Sequence, residues 1–303
     1  MTEVKDLIII GAGPAGITAA VYAARKRLDF SVITFDIGGQ AAWSGNIENY
    51  TGYQFITGPD LVAKFREHLD KYSFELKENV EVTGIEKAEK AFIIRTSSIG
   101  DISARTVIVA SGKRPKLLNA SGEKEFKNKG VTYCATCDGP LFARKDVAII
   151  GGGNSALDAA LQMMKIASKV YIINNLEKLS GDAVMQEKVR SSPLVEVLNL
   201  SRVTAIAGDK FVSEIKIETE GKTSTIPVQG VFVEVGLVPN SGMIDFIKKN
   251  VFGEIVVNCA AETSYPGIFA AGDVTDVPGK QIIIAAGDGA KAAMSASRYL
   301  STH

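Results

Sequence analysis

Short apolar runs that stop at glycine punctuate this chain, and stretches with helical spacing follow them. Leu7 to Ile10 runs into Gly11-Ala12-Gly13-Pro14-Ala15-Gly16, and an alanine-rich segment of helical periodicity continues through Arg25. A continuous apolar run without polar alternation predicts a strand covered on both faces, so the unit reads strand, tight turn, helix. A second apolar run, Phe30 to Phe35, ends at Asp36. That acid falls about twenty residues after Gly16, the spacing at which a carboxylate holds a ribose hydroxyl. The pattern then repeats: Val147 to Ile150 leads into Gly151-Gly152-Gly153-Asn154-Ser155-Ala156, a helix-like segment follows, and Val170 to Ile173 supplies the next strand. Between the two units, Thr106 to Ala110 is a strand ending at Ser111-Gly112, where small residues suit close approach by a cofactor. Later runs, Gly230 to Val235 and Ile268 to Ala271, end at Gly236 and at Gly272-Asp273.

This alternation predicts an α/β protein with two Rossmann-like dinucleotide-binding domains. The residues from about 245 onward are too few for a third such domain and are expected to return to the first. The first domain is thus expected to comprise residues 1–117 and 245–303, with a second, 118–244, inserted into it. A chain of 303 residues, 46% of them hydrophobic, has ample material for both cores. In each glycine turn the backbone can approach a pyrophosphate, whose charge meets amide groups and a helix N-terminus.

Charge and cysteine usage narrow the partners. Thirty-four basic and thirty-four acidic side chains cancel, leaving no field to concentrate on nucleic acid or anionic lipid. The uncharged stretch from Leu7 to Ala24 is interrupted by Gly11, Gly13, Pro14 and Gly16, which argues against a membrane span, and the lead with Glu3 and Asp6 does not resemble a signal peptide. Three cysteines do not make the even framework of a disulfide-stapled secreted domain, so a reducing cytoplasm is expected. Two of them form Cys134-Ala135-Thr136-Cys137, followed by Asp138. Such a pair can close and reopen a small disulfide ring, and an adjacent acid can move a proton. Half a zinc site is the competing reading, but Cys259, His68 and His303 lie far away in sequence, and no metal is expected. Cys259 itself reads as a buried filler near a strand end.

Over nearly its whole length the chain resembles the low-molecular-weight thioredoxin reductases. Gly130 to Cys134, Cys137 to Phe142, Gly151 to Ser155 and Lys280 to Ala285 are most similar to the reductase part of the alkyl hydroperoxide reductase flavoproteins. The resemblance implies an FAD-dependent disulfide reductase. FAD would lie on Gly11, Gly13, Pro14, Ala15 and Gly16, with Asp36, Gly39, Gln40, Asn49 and Gly112 beside it. Gly272 and Asp273 would hold the ribityl chain, and Lys280, Gln281 and Ile282 would lie near the isoalloxazine. Plainer roles stand beside these: Gly38-Gly39 as a turn, Asn49 as a turn-stabilising side chain, Asp273 as a helix cap. The resemblance makes Cys137 the flavin-facing thiol, Cys134 the one that attacks a partner, and Asp138 the acid for the departing thiolate; an N-cap is the alternative for Asp138. It also implies a homodimer. The hydroperoxide flavoproteins carry extra N-terminal thioredoxin-like domains, whereas here the first strand begins at Leu7, so the partner disulfide is expected on another polypeptide. Thioredoxin, a glutaredoxin-like protein and a peroxiredoxin all remain open.

The second glycine turn departs from the resemblance. Gly151, Gly153, Asn154 and Ser155 suit a pyridine nucleotide, but the NADPH-dependent members carry a His-Arg-Arg sequence where this chain has Asn174-Asn175-Leu176, and an arginine where it has Ser180. The NADH-dependent flavoproteins keep a glutamate where this chain has Asn174. Each missing charge-assisted contact is worth on the order of 1.5 to 3 kcal/mol. Three donors are therefore open: NADH held through Asn174 and Asn175; a ferredoxin, deazaflavin or other flavoprotein; and, least favoured beside Glu177, NADPH. A flavin-binding carrier or sensor without disulfide turnover is the alternative of a different class.

Overall fold

In the computed structural model, residues 4–44 and 46–303 are described, apart from the side chains of Trp43, Asn46 and Cys137. The chain divides into two compact units, one made of residues 1–114 and 238–303, the other of residues 115–237. The divisions fall a few residues before the boundaries expected at 117 and 245. Asn240 explains the second: its backbone N–H donates to the Gly112 carbonyl at 3.0 Å, and its side chain donates to the Ser111 carbonyl at 2.9 Å, so the returning chain already belongs to the first unit there.

The first unit is built on parallel strands in the spatial order Glu75–Lys77, Phe30–Ile37, Lys5–Ala12, Ile102–Val109. Ile102–Val109 also pairs in parallel with Ile268–Ala270 and antiparallel with Phe92–Thr96, which extends to Val82–Lys87. Leu7, Ile8 and Ile9 are fully buried, as a strand covered on both faces requires. Leu7 and Ile9 pack with Ala19, Ala20 and Ala23 of helix Pro14–Arg25 and with Ala292, Ala293 and Ala296 of helix Ile282–Thr302. These alanines let the two helices approach closely: a Cβ on Gly289 would lie 2.0 Å from the Ala15 carbonyl oxygen. Ile8 and Ile10 face the other way, into a cluster with Ile94, Val107 and Ile255.

The second unit has five parallel strands in the order Val131–Thr132, Gly230–Val233, Asp146–Ile150, Lys169–Ile173, Val195–Leu198. Helix Asn154–Met163 covers one face through Leu157, Ala160 and Met163. A three-stranded antiparallel sheet, Ser201–Gly208, Val212–Thr219 and Lys222–Pro227, covers the other through Ile206, Ile215 and Ile217. In both units the strand before the glycine turn has neighbours that leave it in opposite directions along the sheet. That is the topological switch point, where ligands bind in such sheets. No helix among the described residues is long and apolar enough to cross a membrane.

Candidate functional site

At the first switch point the backbone itself forms the cradle. Gly11 adopts φ +99°, and a Cβ there would lie 2.4 Å from the Ala110 carbonyl oxygen, so only glycine fits. A Cβ on Gly16 would lie 1.8 Å from the Gly11 carbonyl oxygen, which presses the helix start onto the strand end. Above this packed base the turn is open: a Cβ on Gly13 would meet only the Gly38 carbonyl oxygen, at 4.0 Å, and one on Gly112 would meet nothing within 4 Å. Helix Pro14–Arg25 starts at Gly13 without a side-chain cap and without an acid in its first turn, leaving its amide dipole for an anion. Asp36 is exposed at the end of its strand, beside Thr34, whose hydroxyl accepts the Ala12 N–H at 3.1 Å.

Further sequence-predicted residues converge here. Gly39 lies beside Gly13, and Gly272 lies against Ala15. Gln40 is half-buried in the short helix Gly39–Trp43. Asn49 donates to the Gln281 side chain at 3.0 Å, ahead of Ile282 at the start of the C-terminal helix. Asp273 is not a helix cap: Ala271 holds that position in its short helix. Burial pushes the Asp273 carboxyl up, against the pull of the Lys280 and Lys113 charges. Those two lysines are bridged by Glu254, at 3.3 and 2.8 Å, a contact that links Gly112 to the Lys280-Gln281 segment and that the sequence did not announce. An open turn, uncapped amides, an exposed acid on the neighbouring strand and a half-buried acid near lysines suit the phosphates and hydroxyls of a flavin dinucleotide. The Trp43 side chain lies outside the described residues.

In the second unit the cysteine turn and the glycine turn lie on neighbouring elements. Cys134 is disulfide-bonded. Cys137 lies in the short helix Ala135–Asp138, and its side chain is outside the described residues. Asp138 caps nothing with its side chain, although it stands at the cap position of the next helical turn. Its carboxylate instead accepts from the Thr132 hydroxyl, which in turn accepts the Cys134 N–H at 3.2 Å. Thr132 is 5% exposed, so this bridge between acid and cysteine is shielded from water.

Gly151, at φ +136°, lies against the Glu234 carbonyl on the neighbouring strand, where a Cβ would come within 2.2 Å. Asn154 accepts the Asp182 N–H at 2.6 Å. A Cβ on Gly153 would meet only Ser180, at 3.9 Å, so the turn is open at that point. The ribose end is different. Asn174 is 1% exposed, and its amide donates to the Leu176 carbonyl at 3.0 Å and to Asn199 at 2.8 Å, while its oxygen accepts the Leu176 N–H at 3.4 Å. It also fills the space above Gly152, where a Cβ would lie 2.5 Å from its oxygen. Asn174 therefore braces its own loop, with both amide hydrogens engaged there. Cys259 likewise departs from expectation: it is free and exposed, on a turn in which Asn258 accepts the Ala260 and Glu262 N–H groups.

The fold and these sites define a class. The family described as pyridine nucleotide-disulphide oxidoreductase matches residues 5–293, and the chain belongs to it. It is 39% identical over 298 residues to the F component of the alkyl hydroperoxide reductase of Staphylococcus epidermidis, covering 97% of this chain and 59% of that protein. The chain therefore spans rather more than half the length of that curated relative. Among solved structures it is similar to thioredoxin reductase of Lactococcus lactis, with TM-score 0.93, 33% identity and coverage of 99% and 100% of the two chains. It is also similar to T. acidophilum thioredoxin reductase, with TM-score 0.89, 38% identity and coverage of 97% and 98%.

Proposed function

We propose that the protein is an FAD-dependent disulfide reductase that passes electrons through Cys134 and Cys137 to a disulfide on a thioredoxin-like, glutaredoxin-like or peroxiredoxin partner. The observation that carries this reading is the disulfide-bonded Cys134 tied through Thr132 to Asp138. In this reading residues 1–114 and 238–303 bind FAD, with Gly11 to Gly16 receiving the pyrophosphate and Asp36 the ribose. Bound FAD supplies the electron pair that opens the disulfide. The Cys134 thiolate attacks one sulfur of the partner disulfide, and the partner's other sulfur leaves as a thiolate that Asp138 protonates. The Cys137 thiolate then attacks Cys134, which releases the partner's second thiol and restores the internal disulfide.

A second reading concerns the donor. The commitment of Asn174 to its own loop leaves Asn175, Glu177, Lys178 and Ser180 as the exposed polar side chains of that loop, with no arginine among them, which favours a ferredoxin or another flavoprotein over NADH or NADPH. Anaerobic stopped-flow mixing of the FAD-loaded protein with each nucleotide separates the two. Rapid bleaching of the flavin by NADH or NADPH assigns a nicotinamide donor; no bleaching by either, with dithionite still effective, assigns the other kind. A protein that binds no FAD when it is supplied contradicts the reductase reading itself.

A further inference from the structure

The cysteine turn of the second unit is tied to the helix that follows the glycine turn by part-buried polar contacts that neither motif requires. Thr136, one of the two residues between the cysteines, donates its hydroxyl to the Gln162 carbonyl at 2.9 Å. The Gln162 amide donates in turn to Asp158 at 2.7 Å, one helical turn earlier. A primary amide has one accepting and one donating end. An acceptor at Asp158 therefore turns the Gln162 carbonyl toward Thr136.

We propose that Gln162 is a positioning residue that holds the cysteine turn through Thr136, with Asp158 fixing the orientation of its amide, and that this hold sets the redox poise of the Cys134 disulfide. The inference rests on the reading of Cys134 as a redox centre. Reduction of the disulfide adds two electrons and up to two protons, and one sulfur left as a thiolate adds negative charge to this region.

The test is the equilibrium of the full chain with oxidised and reduced glutathione, read as the oxidised fraction of Cys134 by alkylation and mass measurement. Gln162→Leu should shift the equilibrium constant about threefold to tenfold, the worth of one hydrogen bond. Thr136→Val removes the same bond from the other side and should reproduce the shift, which keeps the test open if the first variant does not fold. Variants that lose thermal stability but superimpose on wild type in the glutathione equilibrium overturn the proposal. A wild-type Cys134 that does not exchange with glutathione at all overturns the redox reading and the proposal together.

Discussion

Replacing Glu234 by glutamine removes a half-buried titrating group but keeps its shape. The glutamate carboxyl rises from 4.5 to about 7 in the folded protein, mainly through burial; the Ser155 hydroxyl pulls it back and the Asp158 charge pushes it further. The folded protein therefore binds this proton more tightly than the unfolded chain does. The corresponding stability is fully present below about pH 4.5, is lost as pH rises, and is gone once pH passes about 7. At about 1.4 kcal/mol per unit the loss amounts to about 3 kcal/mol, an upper value because Asp158 takes up part of the titration. Glutamine does not titrate. The stability of Glu234→Gln relative to wild type should therefore climb by up to about 3 kcal/mol between mildly acidic and mildly alkaline pH and stay level above that. Urea unfolding of the two proteins at four pH values across this range measures the difference directly. A gap that is the same at every pH would refute the reasoning, because it would place the effect in packing and not in the buried charge.

Other sites yield sharper yes-or-no outcomes. Gly16→Ala puts a Cβ 1.8 Å from the Gly11 carbonyl oxygen and should weaken FAD binding by at least tenfold in a fluorescence titration, because the turn must open to admit it. Thr132→Val frees the Cys134 N–H and the Asp138 carboxylate; partner-disulfide reduction should slow about threefold to tenfold and its pH profile should move, whereas Thr132→Ser should restore both. Lys113→Met removes a 2.8 Å contact to Glu254 between side chains that are each 13% exposed. Desolvation raises the Glu254 carboxyl, but hydrogen bonds from Lys113 and Asn250 and the lysine charges outweigh it and hold it at about 2. That stabilisation is present above about pH 4.5 and is lost as pH falls toward 2. The variant should therefore be less stable by about 1 to 3 kcal/mol at neutral pH, with the deficit shrinking in acid unfolding curves.

Both glycine turns were legible in the sequence because their constraint is local and steric. A strand end, a helix start and a neighbouring strand meet within a few ångströms of Gly11 and Gly151, and no other residue type fits there. The long apolar strands were legible for a related reason, since burial on both faces leaves no room for polar alternation. The sheet of Ser201–Gly208, Val212–Thr219 and Lys222–Pro227 carries the other signal, alternation with one face inward, and a search for continuous apolar runs passes over it. Side chains whose roles depend on pairing across the chain were not legible. Thr132, Gln162 and Glu254 look like ordinary polar residues until the fold brings Asp138, Thr136 and Lys113 to them. Asn174 shows the limit most plainly. Its position suggests a ribose contact, but Asn199, at the end of the next strand, claims its amide. Cys259 read as apolar filler because its neighbours are alanines, yet the Asn258 turn carries it to the surface.

The central claim is that the Cys134 disulfide exchanges electrons with bound FAD, and an anaerobic reductive titration with dithionite tests it most directly. The FAD-loaded wild-type protein should take up about four electrons per flavin, two for the flavin and two for the disulfide, and Cys134→Ser should take up about two. Uptake of about two electrons by both proteins would contradict the claim and leave the chain a flavin carrier without a working disulfide.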